Sequence, residues 1–221
     1  MIVRSDETRR VTESQLGPSM HWVEYSDLAM LLGDPLDPHA DAEHFMAVVD
    51  AVHEACACLP MRLESPIEDE AAAVRLLRAG ADRFERLLGR VKGCDEWSIR
   101  VERPSESVAA TQRVTDRPLE TPSHVHNRGA SYLEHRRRRM DADAGIDRWV
   151  SGVLATLGAK LAPLASDSRV IPSGQGSGTL VLLVRRDFDI ERAFVDVASG
   201  ATSECTLTGP WPAFSFVTLQ A

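Results

Sequence analysis

The clearest pattern in the chain lies at Thr179-Leu180-Val181-Leu182-Leu183-Val184, apolar at every position after the threonine. A strand-sized run of this kind predicts a central strand covered on both faces. Trp97-Ser98-Ile99-Arg100-Val101 alternates instead, apolar at 97, 99 and 101, and predicts a strand with one buried face. Glu204-Cys205-Thr206-Leu207-Thr208 alternates in the same way, and Arg169-Val170-Ile171 reads as a short strand. Helical spacing shows elsewhere. Phe45, Val48, Val49 and Val52 give one apolar face to a helix from about Asp41 to Cys56. Ala73, Leu76, Leu77, Phe84, Leu87, Leu88 and Val91 line a longer one. Ser65 as cap, Pro66 at the first position and Glu68 completing a capping box predict where it begins, and Gly93 ends it. A third helix is expected between about Gly129 and Ala165, with a break near Gly145. Its second half carries a stripe of Ile146, Val150, Val153, Leu154, Leu157 and Leu161. A fourth, capped by Asp187 or Asp189, turns Ile190, Phe194 and Val197 inward and stops at Gly200.

Nearer the start, Ile2-Val3 is a short strand or disordered, and His21-Trp22-Val23-Glu24-Tyr25 alternates weakly as a strand. Asp27 to Leu32 reads as a short helix stopped by Gly33, and Asp34-Pro35-Leu36-Asp37-Pro38 as a turn. Cys58 to Leu63 is expected to be extended, because Pro60 pushes its predecessor to the β region. From Trp97 onward the order is β-α-β-β-α-β, that of a ferredoxin-like unit, in which the first and third strands are central. The expected fold is therefore α+β with two domains. Residues 1–92 form a small α+β unit and residues 93–221 a ferredoxin-like one. The polar stretch from Arg103 to Asn127, rich in Pro, Ser, Thr and charge, would be a long mobile loop after the first strand of the second unit. Ser173-Gly174-Gln175-Gly176-Ser177-Gly178 reads as a flexible turn.

Composition narrows the partners. The formal net charge is −8, which argues against nucleic acid or an anionic membrane, since both want a basic surface. No apolar run approaches a membrane span, and Met1 to Glu7 has no apolar signal core. Four isolated or closely spaced cysteines, Cys56, Cys58, Cys94 and Cys205, make no disulfide framework, so a reduced, cytoplasmic setting fits.

Candidate chemistry is thin. His124-Val125-His126 could chelate a metal, but no fixed carboxylate lies near it. Cys56 and Cys58 are too close for the usual zinc pair and read as buried thiols. Gly174 to Gly178 precedes a strand, whereas a phosphate loop follows one and opens a helix. Arg136-Arg137-Arg138-Arg139 points nearly all round a helix, so it forms no flat phosphate-binding stripe and reads first as a salt-bridged surface. No catalytic residue, cofactor site or metal site is assigned.

The last stretch is the most distinctive. Leu207-Thr208-Gly209-Pro210-Trp211-Pro212-Ala213-Phe214-Ser215-Phe216-Val217 holds one Trp and two Phe in a chain with 4 Trp and 6 Phe. Its prolines exclude helix and central strand and predict a stiff, extended peptide. Three aromatics so close must dock, either as a plug for the chain's own core or as part of a surface for a partner.

This segment resembles the C-terminal signature of the gas vesicle GvpL/GvpF family, TGPWPPYSF, with Ala213 and Phe214 replacing a proline and the tyrosine. Further blocks agree in order. Leu59, Pro60 and Arg62 match a Leu-Pro-x-Arg-Phe-Gly segment, although Leu63 and Glu64 depart from its end. His44 stands where the family often has a helical histidine. Glu96-Trp97-Ser98-Ile99-Arg100-Val101 is similar to its Glu-Trp-Gly-Val-Lys-Val strand. Gly129 to Arg137 is similar to its Gly-x-x-Tyr-Leu-x-x-Arg-Arg helix start. The resemblance implies a non-catalytic, cytoplasmic accessory protein of gas vesicle assembly. Its partner would be the hydrophobic shell subunit and, beside it, other accessory proteins. Candidate contacts are Arg62, Trp97, Arg100, Trp211, Phe214 and Phe216. The alternative is a small-ligand-binding or regulatory ferredoxin-like module.

Overall fold

The computed structural model describes residues 1–16, 19–33, 42–61, 67–102, 147–174, 176–198 and 204–217. The first sheet holds β1 (Ile2–Arg4), β2 (His21–Tyr25) and β3 (Leu28–Leu32) in the order β1-β3-β2, with both pairings antiparallel. A 3-10 turn (Ser5–Arg10) and the short α1 (Glu13–Leu16) connect its first two strands. Two long helices follow, α2 (Ala42–Ala55) and α3 (Glu70–Val91). The second sheet holds β4 (Cys94–Glu102), β5 (Asp167–Gly174), β6 (Ser177–Arg185) and β7 (Glu204–Trp211). Its order is β5-β6-β4-β7, again antiparallel throughout. Helix α4 (residues 147–161) lies between β4 and β5 in the chain, and α5 (Ile190–Ala198) between β6 and β7. The fold is thus α+β with two antiparallel sheets.

Side-chain alternation explains how these elements stack. Along β1, Ile2 faces one core and Val3 another. Along β3, Leu28 and Met30 join Ile2, while Ala29 and Leu31 join Val3. The Val3 side is closed by Val48, Val49 and Val52 of α2. The Ile2 side is closed by Leu77, Phe84 and Leu88 of α3, and the same cluster takes in Val181 and Leu183 of β6. Helix α3 therefore lies between the two sheets. The far side of the second sheet carries Ile99, Val101, Leu180, Leu182 and Val184, packed against Val150, Leu154, Leu157 and Leu161 of α4 and Ile190 of α5. The successive residues of β6 supply opposite cores, and that is why its sequence is apolar throughout. Gly178 lets α4 sit close, since a Cβ there would lie 2.6 Å from Leu154 Cδ1.

Several expectations change. Asp27 to Leu32 contains a strand, not a helix. Leu, Ala and Met favour helix weakly, but Leu28 to Leu31 are buried on both faces as the middle strand of the sheet, and that packing overrides propensity. Helix α3 begins later than Ser65 predicts. Its cap is Asp69, whose Oδ1 accepts from the Ala72 amide at 2.6 Å. Ile67 and Glu68 precede the helix, while Ser65 and Pro66 lie outside the described residues. Asp189 caps α5, accepting from the Arg192 amide at 3.0 Å. The expected turn at Asp34 to Pro38, the stretch from Arg103 to Ile146 and the helix stop at Gly200 also lie outside the described residues.

Candidate functional site

The aromatic terminus is built by β7 and β4 together. β7 does not end at Thr208. It runs through Gly209 and Pro210 to Trp211, with a cis Gly209–Pro210 peptide and a register shift opposite Glu96 to Ser98. A proline is tolerated there because β7 is an edge strand. Gly209 has φ +143, and a Cβ on it would come within 2.8 Å of the Trp97 ring and 2.9 Å of the Glu96 carbonyl. The glycine of one motif is thus the seat for the tryptophan of the other. After Pro212 the chain is not extended, as its prolines suggest, but turns. The Phe214 amide donates to Pro212 O at 2.7 Å and the Phe216 amide to Ala213 O at 3.3 Å.

Two side chains lock this turn. Glu96 is 5% exposed, and its carboxylate accepts from the Ser215 amide and the Ser215 hydroxyl, each at 2.7 Å. Burial pushes the Glu96 carboxyl above its ordinary range, while the Ser215 donors and Arg169 pull the other way. Arg169 of β5 donates to Ser215 O at 2.8 Å and places its guanidinium 5.2 Å from the centre of the Phe216 ring. Phe216, Ala213 and Val217 are buried in the core shared by the two sheets. Phe214 packs at the edge of the α2 core. Trp211 stays 42% exposed at the sheet edge.

The six sequence candidates are therefore dispersed. Phe216 is core, Phe214 is half-buried, and Trp97 is half-buried against Gly209 and the α4 and α5 side. Arg100 is exposed and pairs with Glu102. It stands in a row across the second sheet with Ile171, Thr179 and Thr206, on the face that α3 covers only at its other end. Trp211 and the Arg100 row are the accessible candidates, and Arg62 lies outside the described residues.

A second polar cluster escaped sequence reasoning. His53 of α2, Asp95 of β4 and Arg186 after β6 meet across the junction of the two sheets. Arg186 Nε donates to Asp95 Oδ1 at 2.8 Å, and its Nη2 donates to His53 O at 2.7 Å, in the last turn of α2. His53 Nε2 lies 2.9 Å from Asp95 Oδ1 and 3.1 Å from Arg186 Nη2. One ring nitrogen cannot donate to the first and accept from the second at once. Burial, and then Arg186, lower the His53 pKa. Beside this cluster a cleft of about 180 Å³ is lined by Glu7, Arg10, Cys56, Cys58, Lys92 and Arg186 among others. Burial pushes the Cys56 thiol up to about 11 and the Cys58 thiol up to about 12, so both are the buried thiols that their spacing suggests. Among the described residues no group of three or more His, Cys, Asp or Glu could hold a metal ion, and no helix is long and apolar enough to cross a membrane. His124 and His126, and the Arg136 to Arg139 run, lie outside the described residues.

Comparison with known proteins gives consistent results. A family model described as gas vesicle synthesis protein GvpL/GvpF matches residues 2–218. Gas vesicle protein L from Streptomyces sp. (strain CB03234) is 31% identical over 197 residues, covering 83% of this chain and 71% of that protein. The crystal structure of gas vesicle protein GvpF from Anabaena sp. PCC7120 shares the fold, with TM-score 0.64, 10% identity and coverage of 91% and 86% of the two chains. GvpF from Microcystis aeruginosa does so with TM-score 0.60, 13% identity and coverage of 90% and 89%.

Proposed function

The chain belongs to the gas vesicle GvpL/GvpF family, and from that premise we propose that it is a non-catalytic accessory protein of vesicle assembly that binds the hydrophobic shell subunit. Family membership over residues 2–218 carries the vesicle-related role. The finer reading rests on Trp211. A large aromatic that is 42% exposed, on an edge strand whose turn is tied down by Glu96 and Arg169, is an anchor pre-organised for an apolar partner. Little conformational entropy remains to be lost when it docks. The Arg100 row, with Ile171 at 44% exposure, extends the candidate surface along the second sheet.

In this reading residues 93–221 form a ferredoxin-like unit, and residues 1–92 a smaller α+β unit that shares α3 and its core with it. The protein works in the cytoplasm, at the growing vesicle, without cofactor, nucleic acid or membrane. Other vesicle accessory proteins are further partners. Its physical task is to cover or place a subunit whose exposed strands would otherwise aggregate. Co-purification of the shell subunit with wild-type protein and with Trp211→Ala tests it. The wild type is expected to retain the subunit and the variant, folded by circular dichroism, to lose most of it. Equal retention removes Trp211 as the contact, and no retention by the wild type removes the function.

A further inference from the structure

The second sheet ends in two edge strands, β5 and β7, and side-chain exposure alone points to the wrong one as an open template. β5 is the more apolar, with Val170 54% and Ile171 44% exposed. Its backbone is blocked. In an antiparallel pair alternate residues turn both main-chain groups toward the partner, and the residues between turn theirs away. The Arg186 amide donates to Gly93 O at 3.0 Å, which sets the phase of the β4–β6 ladder and, strand by strand, of the whole sheet. Ser168, Val170 and Pro172 are then the outward residues of β5. Pro172 has no amide proton, and the Ser168 amide is taken by Asp167 Oδ1 at 2.9 Å. On β7 the same phase turns Thr206 and Thr208 toward β4, in keeping with Thr208 Oγ1 reaching Ser98 O at 3.4 Å. Cys205 and Leu207 turn outward, each with an amide and a carbonyl that no strand among the described residues pairs with.

We propose that the outer edge of β7 receives an extended segment of the shell subunit as a fifth strand of this four-stranded sheet, paired through the amides and carbonyls of Cys205 and Leu207 and ending against Trp211. This pairing presupposes the shell-subunit binding proposed above and is the means by which that partner is held. A free strand edge is satisfied by another strand and by little else. The chemistry of the edge says which kind. From Cys205 to Val217 the chain carries no charged side chain, although charged residues make up 26% of the whole. Such an edge has no lysine or glutamate to turn away an uncharged, apolar strand. A second copy of this chain is the poorer occupant, since each copy brings a net charge of −8 to the contact. Main-chain pairing at Cys205 and Leu207 supplies the register, and Trp211, 42% exposed at the end of the same strand, supplies apolar contact.

The test is amide hydrogen exchange of the full chain, alone and carrying the shell subunit, read residue by residue by fragmentation mass spectrometry. The expected result is exchange slowed at least about tenfold at Cys205 and Leu207 when the subunit is bound, with Val170 on the opposite edge unchanged. Cys205→Pro removes an outward donor and leaves the β4 ladder intact, so it is expected to weaken binding about tenfold at a thermal midpoint close to wild type. The exchange comparison uses the natural chain and does not depend on the folding of that variant. Subunit that binds while both amides exchange as in the free chain overturns the strand pairing and leaves the proposed function standing. Failure of the subunit to bind at all overturns both. Slowed exchange that grows with protein concentration in the absence of the subunit makes a second copy the occupant and overturns the pairing, as does wild-type affinity in folded Cys205→Pro.

Discussion

Glu96 and Trp97 stand side by side in β4 and do different work for the same turn. Trp97 covers Gly209, and Glu96 holds Ser215. The sequence marks both as part of a strand motif, but the tie spans 119 residues and leaves no periodic trace. Glu96→Ala strands the Ser215 amide in a half-buried site and is expected to cost about 1.5–3 kcal/mol, read as a lower denaturation midpoint. Glu96→Gln keeps an acceptor and removes the buried charge, so its midpoint should lie close to wild type. His53 gives a pH dependence. Its folded pKa lies below the ordinary value of 6.5, so the unfolded chain binds the proton more readily. The stability it contributes is complete above about pH 6.5 and is lost as pH falls through the lowered folded value. Chemical denaturation across that window should show a positive slope with pH, and His53→Gln should flatten it.

At the scale of elements, the legible patterns are those long enough to repeat. The stripes on α2, α3 and α4 face the cores, with Phe45, Leu76, Leu87 and Val153 half-buried at their margins and Ile146 outside the described residues, and β6 is covered on both faces as its unbroken apolar run requires. β3 was not legible, since Leu-Ala-Met-Leu-Leu suits a helix until β1 and β2 pair with it and the α3 and α2 cores claim alternate residues. The start of α3 was misplaced because Ser65, Pro66 and Glu68 make a complete capping pattern by themselves, whereas the side-chain bond to Ala72 makes Asp69 the cap. Asp69→Ala is therefore expected to cost about 1 kcal/mol of stability in denaturant melts. The terminal segment misleads in a similar way. Prolines predict an extended course correctly through Trp211, but the Glu96 and Arg169 tie that turns the chain after Pro212 comes from other strands.

For the molecule as a whole, α3 is the shared wall. Leu77, Phe84 and Leu88 belong to one cluster with Ile2 and Met30 of the first sheet and with Val181, Leu183 and Phe216 of the second part of the chain. The proposed units 1–92 and 93–221 should therefore unfold together. Calorimetry of the full chain is expected to give one transition with matching calorimetric and van't Hoff enthalpies. Two separated transitions would contradict the shared core. The cleft and the His53 cluster lie on the same seam. They were invisible in the sequence because Glu7, His53, Lys92 and Arg186 come from four distant stretches, each unremarkable alone.

The central claim is that the chain is a holder for the shell subunit, with Trp211 as a pre-organised anchor. The direct measurement is the dissociation constant for the shell subunit of wild-type protein against Trp211→Ala, with thermal midpoints taken on the same samples. The account predicts at least about a tenfold loss of affinity with a midpoint close to wild type. Unchanged affinity, or a loss that appears only because the variant has unfolded, would contradict it.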